Sequence, residues 1–270
     1  MTMALDGYFD ESERHGQANG EPMSVAGYIF KPTAYRRFCR EWRRMLAAGP
    51  SRTTHFHMTH LYARSYEYEG WTVEDRAKVL ALAVDAVKAN MLCGISVLFR
   101  QTDFERYAPP LWRFNQGSMY STSCQMVLNA TRLWMDDNKS FLPIAYAFES
   151  GHRFWNEADD VMAGIGKNPE LKKLFRYRTH FALDKEESFG LQAADLLSWV
   201  MTRFEAGVPN NHSMRAFKPI FRHLVSGDSQ KYQIFRPVGN LMKAFFDEQQ
   251  ALANLAPVVE LRRAKKGRLR

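Results

Sequence analysis

Two short apolar segments stand in succession near the start of the chain, ALDGYFD at residues 4–10 and MSVAGYIF at 23–30, with a polar, glycine-containing stretch between them. Their apolar and aromatic content, bounded by turn-forming residues, predicts two successive strands. After them the apolar period lengthens. Phe38, Trp42 and Met45 recur at helical spacing, so a helix is predicted from Thr33 to Ala48. Residues 53–58 (TTHFHM) read as an extended piece and 61–72 as an aromatic-rich loop. Thr72 is placed to cap a helix from Val73 to Asn90, with Ala77, Leu80, Val84 and Val87 on one face.

Strands and helices then alternate. A strand is predicted at 92–99, a long helix at 117–137 with Tyr120, Cys124, Val127, Thr131 and Trp134 inward, and an apolar strand at 142–149. A helix at 154–166, a strand at 178–184 and a helix at 188–205 follow. Residues 207–235 read as irregular apart from a short helix at Ala216–Leu224, and a last helix is predicted from Val238 to Leu255. A strand pair followed by alternation predicts an α/β fold, one mixed β-sheet flanked by helices. The economical division is a domain over 1–225 and a helical extension with a basic tail over 226–270.

The formal net charge of +8 resembles that of a nucleic-acid-binding protein, but its distribution is uneven. Arg262, Arg263, Lys265, Lys266, Arg268 and Arg270 carry six of those charges, and without them the chain stands at only +2. Such a tail can hold a phosphate backbone by counterion release, or be a solvated end. No apolar run approaches the roughly 20 residues of a membrane span, and no signal segment opens the chain. Cys39, Cys93 and Cys124 are odd in number and widely spaced, which fits free thiols. These features together predict a cytoplasmic protein without membrane partners.

Three acids stand in apolar surroundings: Asp10 after Tyr8 and Phe9, Glu149 after Ala147 and Phe148, and Asp195 inside FGLQAADLLSWV. Desolvating an unpaired carboxylate costs several kcal/mol. A hard divalent cation, Mg²⁺ or Mn²⁺, offsets that cost. Strand ends are also where α/β sheets place ligands. The structural alternatives are a turn at Asp10, a helix cap at Glu149 and an arginine partner for Asp195.

The segments YFDES, FHMTHL, AFES and LDKEESFGLQAADLLSW together resemble the family catalogued as domain of unknown function 3800, whose members resemble RNase H-like nucleases. The resemblance spans residues 6–206, and its final motif is the most specific part. It implies that Asp10, Glu149 and Asp195 are the carboxylates of an RNase H-like metal site, that His57 belongs to the FH element, and that Gln192 precedes the final acid. It implies a bacterial or phage-defence setting as well. Glu13 stands where many members have glycine, and the chain beyond Leu224 lies outside the match.

Two metals about 4 Å apart on shared carboxylates can activate water and stabilise the leaving oxygen of a phosphodiester. Asp10 would bridge them, with Glu11 adding a ligand or a water contact. The expected function is therefore a Mg²⁺- or Mn²⁺-dependent nuclease acting on DNA or RNA. The alternative is a nucleic-acid-binding or defence effector protein whose acidic site is degenerate.

Other features are weaker. His55, His57 and His60 form an H-x-H-x-x-H cluster with no cysteine or carboxylate at zinc spacing nearby, so His57 is expected beside the metal and the other two as ordinary polar residues. Arg36, Arg40, Arg43 and Arg44 form a stripe read as a solvated face, with Arg37 pairing to Glu41. Asp184 and Glu187 have capping-box spacing, and Asp184 is also a candidate fourth acid.

Overall fold

The computed structural model describes residues 4–13, 22–207, 211–226 and 231–236, with 243, 244, 246 and 247. The opening segments form β1 (Leu5–Glu13) and β2 (Pro22–Phe30), paired antiparallel from Asp6–Phe30 to Glu13–Met23. β1 does not stop at Asp10. It runs on to Glu13 because β2 continues to pair with it, Asp10 lying opposite Ala26. Helix α1 (Pro32–Leu46) buries Phe38, Trp42, Met45 and Leu46. α2 (Met58–Ala63) and a 3-10 turn (Tyr66–Tyr68) then occupy the segment expected to be a loop. α3 (Val73–Asn90) starts at a full capping box between Thr72 and Asp75.

β3 (Cys93–Arg100) leads into α4 (Gln101–Tyr107), α5 (Pro110–Gln116) and α6 (Met119–Asp137). All five residues of the expected α6 stripe are buried. β4 (Ile144–Glu149), α7 (Trp155–Lys167), α8 (Pro169–Leu174), β5 (Tyr177–Leu183), α9 (Phe189–Ala206), α10 (His212–Val225) and β6 (Tyr232–Phe235) complete the order. Six strands make one mixed sheet in the order β5-β4-β1-β2-β3-β6. β1, β2 and β3 pair antiparallel, whereas β4 runs parallel to β1, β5 to β4 and β6 to β3.

Alternation along each strand separates two cores. Phe9, Tyr146 and Phe148 point to the layer of α6 and α7, while Tyr8, Ala26, Tyr28 and Phe30 point to α1, α3, α9 and α10. α9 is apolar on nearly every side, and Leu191, Leu196, Leu197 and Val200 are all buried. Each contributes roughly 1.5–3 kcal/mol of burial. Gly190 lets this helix approach β1 closely, since a Cβ there would lie 2.3 Å from the Tyr8 ring.

Four expectations are corrected. The sheet extends past residue 225, because Tyr232–Phe235 pairs with Gly94–Val97 of β3. The capping box at Asp184 and Glu187 is absent: Ser188 caps α9 by accepting from Leu191 N–H, and Asp184 instead accepts from Glu186 N–H at 2.8 Å. Arg37 reaches Glu41 only through Asn90, donating to Asn90 Oδ1 at 2.5 Å while Asn90 Nδ2 donates to Glu41 Oε2 at 2.6 Å. Buried Asn90 needs both partners, which explains the relay. The segment 53–58 is not a strand, and His57 is the N-cap of α2.

Arg36, Arg40, Arg43 and Arg44 are exposed, as a solvated face requires. The three cysteines are free thiols. No helix among the described residues is long and apolar enough to cross a membrane. Of the expected last helix, Phe246 packs against Phe104 and Trp112. The basic tail at 262–270 lies outside the described residues.

Candidate metal centre

The parallel register of β1 and β4 pairs Phe9 with Phe148, so one step further Asp10 lies beside Glu149. Both point to the side on which α9 packs, and Asp195 comes down from that helix to join them. Gly151, at a φ of 97°, turns the chain away just after β4 and leaves the crevice open. Glu11, Glu149, Asp195, His57, His60 and Arg153 are among the residues lining a cavity of about 600 Å³. Asp10 lies behind the lining, only 1% exposed and in contact with the Lys185 ammonium that does line the cavity. Oxygen atoms of Asp10, Glu11 and Glu149 lie within 4.8 Å of one another, close enough to share one cation.

At the centre stands a residue that the sequence reading missed. Lys185 Nζ is 2.8 Å from Asp10 Oδ2, 3.0 Å from Glu149 Oε2 and 3.2 Å from Asp195 Oδ1. Burial opposes its charge, but Asp195, Asp10 and Glu149 outweigh burial and hold the ammonium well above its ordinary pKa. Its only sequence signal was its place in LDKEES, directly after an apolar strand.

One ammonium does not neutralise four acids. Burial raises the Asp10 carboxyl well above its ordinary range; Lys185 opposes the shift, while Glu149 and Glu11 add to it. Burial and Glu149 likewise push Glu11 up to about 7. Burial would raise Asp195 too, but Lys185, His57 and the Met58 N–H prevail and hold it below the ordinary range. Met58 N–H donates to Asp195 Oδ2 at 2.6 Å. Buried Asp10 Oδ2 has the Lys185 ammonium, 2.8 Å away, as its partner.

His57 and Gln192 take different roles around these acids. His57 Nδ1 accepts from Thr59 N–H at 3.3 Å and stands 3.7 Å from Asp195 Oδ2. With Nδ1 accepting, Nε2 is the ring nitrogen left to carry an N–H. Gln192 does not reach the cavity. Its Oε1 accepts from Trp42 Nε1 at 2.9 Å and Phe56 N–H at 3.1 Å, and its Nε2 donates to the carbonyls of Lys185 at 3.1 Å and Glu186 at 3.3 Å. Gln192 therefore ties the segment before Met58 and the turn carrying Lys185 to the helix that carries Asp195. Asp195 follows Gln192 at i+3, so one helical face performs both tasks.

Asp184 is not brought into this group. It is exposed and turned to its own backbone. Arg153, not anticipated, is an exposed cation among the residues lining the cavity. No protein-family model and no curated protein matches the chain.

Proposed function

We propose that this protein is a Mg²⁺- or Mn²⁺-dependent phosphodiesterase that cleaves DNA or RNA on an RNase H-like fold. The observation that carries the reading is the convergence of Asp10, Glu149 and Asp195 on one point, from which a single cation now touches all three. The Lys185 ammonium stands in for the ion there, and the four acids fit hard oxygen coordination. The sheet order supports the fold assignment: β1, β2 and β3 are antiparallel, β4 and β5 run parallel beside β1, the acids stand on β1 and β4, and β6 extends the sheet beyond β3. So does the resemblance to the domain of unknown function 3800 family.

Asp10, Glu149 and Asp195 would hold the metal, with Glu11 adjoining. A divalent ion there supplies a nucleophilic water and Lewis-acid stabilisation of phosphoryl oxygens. His57 Nε2–H lies at the rim as a proton donor, and Arg153 offers a bidentate partner for a phosphate. The basic tail adds sequence-independent backbone affinity.

One observation favours the rival reading, a nucleic-acid-binding or effector protein with a degenerate site: Lys185 already fills the point where a metal would sit. The assay that separates them incubates the protein with single- and double-stranded DNA and RNA in Mg²⁺ or Mn²⁺. Metal-dependent cleavage is expected, falling roughly 10²-fold or more in Asp10→Asn and Asp195→Asn, as the loss of several kcal/mol of metal stabilisation requires. Binding without cleavage would establish the rival. Cleavage that survives both substitutions would sink the assigned site.

A further inference from the structure

We propose that His55, His60 and Glu67 form a zinc-binding site at the side of the acidic crevice, with ligands other than the crevice acids and with His60 shared with the crevice lining. The sequence shows two of the three ligands, but Glu67 lies beyond α2, the helix that carries His60. The fold brings it back. Arg64 and Tyr66 both adopt left-handed backbone, at φ 59° and 54°, and the chain reverses so that Glu67 faces the two histidines. Ligand atoms from the three residues all lie within 4.8 Å of one another.

His55 Nε2 is 3.3 Å from Glu67 Oε1, and His60 Nδ1 is 3.8 Å from Glu67 Oε2. Zinc bonds to nitrogen and carboxylate oxygen of about 2.0–2.2 Å place tetrahedral ligand atoms about 3.3–3.6 Å apart. These separations suit an ion between the groups better than hydrogen bonds across them. Indeed His60 Nδ1 and Glu67 Oε1 are buried atoms without any hydrogen bond. The isolated atoms are the ones a metal would satisfy.

The surroundings hold the ligands in place. The His60 ring lies between His57, with centroids 4.2 Å apart, and Tyr66 at 4.3 Å. His55 Nδ1 is 3.1 Å from Thr54 Oγ1, leaving Nε2 for the ion. Tyr68 donates its hydroxyl to the His55 carbonyl at 3.4 Å. Two imidazoles with one carboxylate favour zinc over magnesium, which takes oxygen ligands. A fourth position is left for water. Bound zinc would clamp the segment that carries His57 and the Met58 N–H, and so would position the groups that face Asp195.

The test uses the full chain stripped with a chelator, titrated with Zn²⁺ against a chromogenic competitor and, separately, with Co²⁺. One equivalent of zinc is expected to bind with a Kd of about 1 μM or tighter. Glu67→Gln and His60→Ala should each weaken it roughly tenfold or more, while Asp10→Asn leaves it unchanged. Wild-type protein should give the intense visible spectrum of tetrahedral cobalt. Zinc affinity indifferent to both ligand substitutions, or lost in Asp10→Asn, overturns the site. An octahedral cobalt spectrum overturns it as well, and this readout decides the matter if circular dichroism shows the variants unfolded. None of these readouts depends on nuclease activity.

Discussion

Two buried cations in this molecule are treated in opposite ways. Arg76 in α3 is fully buried, and each arm of its guanidinium meets a neutral acceptor. Nε donates to the Thr72 carbonyl, Nη1 to those of Leu61 and Tyr62, and Nη2 to Ser213 Oγ, with the Phe217 ring 5.4 Å away. Donors and acceptors match, and the cluster ties α2, α3 and α10 together. At Lys185 a single ammonium faces Asp10, Glu149 and Asp195, with Glu11 adjoining. There the anionic oxygens outnumber the donors. A matched buried charge is a structural joint, whereas an unmatched set of acids leaves negative charge for another cation to take up.

The contrast is sharpest on removal of each cation. Arg76→Met takes the side-chain donor from the Leu61 and Tyr62 carbonyls and the Ser213 hydroxyl, while the Thr72 carbonyl keeps the residue's backbone N–H, and is expected to destabilise by about 4 kcal/mol. Urea unfolding measures this, and divalent ions should restore none of it. Lys185→Met removes the partner of three carboxylates and is expected to cost about 3 kcal/mol in chelator. Here Mn²⁺ should restore most of the loss, and the variant should bind Mn²⁺ more tightly than wild type. Failure of Mn²⁺ to rescue Lys185→Met would place the two cations in the same structural class.

That contrast explains what the sequence disclosed. Asp10 and Glu149 were legible because each follows an apolar strand run, where a carboxylate has no cheap structural reason to stand. Asp195 was legible because it interrupts an apolar helix. Lys185 was hidden inside DKEES, which reads as a solvated charge run, and only the approach of α9 to β1 shows its target. Glu67 was hidden similarly, since three separate local elements must fold before it meets His55 and His60. β6 is four residues long and pairs with a strand far away in sequence, so no local period marks it. Gln192 was placed correctly in its motif, yet its four hydrogen bonds cross to segments that the sequence cannot bring together.

Gln192→Leu probes the frame between the acids rather than their charge. The substitution keeps the volume but strands Trp42 Nε1, Phe56 N–H and two carbonyls. A loss of about 2 kcal/mol is expected by denaturant unfolding. Mn²⁺ should not restore it, because the ion does not replace those hydrogen bonds. Stabilisation of this variant by Mn²⁺ beyond that of wild type would show that Gln192 acts on the charge balance after all.

The smallest effect reads the charge excess by pH. Burial first, and Glu149 after it, hold Glu11 at about 7 against an ordinary 4.5, so the folded chain keeps a proton that the unfolded chain has lost. The stabilising contribution of this group is complete below 4.5 and disappears as pH rises through 7. A metal competes with the same proton, so its binding should strengthen about tenfold, or about 1.4 kcal/mol, between about pH 6 and about pH 8. The Mn²⁺-induced rise in Tm should grow over this window and then level off. Calorimetry in two buffers of different ionisation enthalpy should show proton release on binding at the lower pH alone. Glu11→Gln should flatten both profiles, because the exchanged proton is gone. A pH-independent Mn²⁺ effect in wild type would mean that Lys185 balances the acids as completely as the carbonyls balance Arg76.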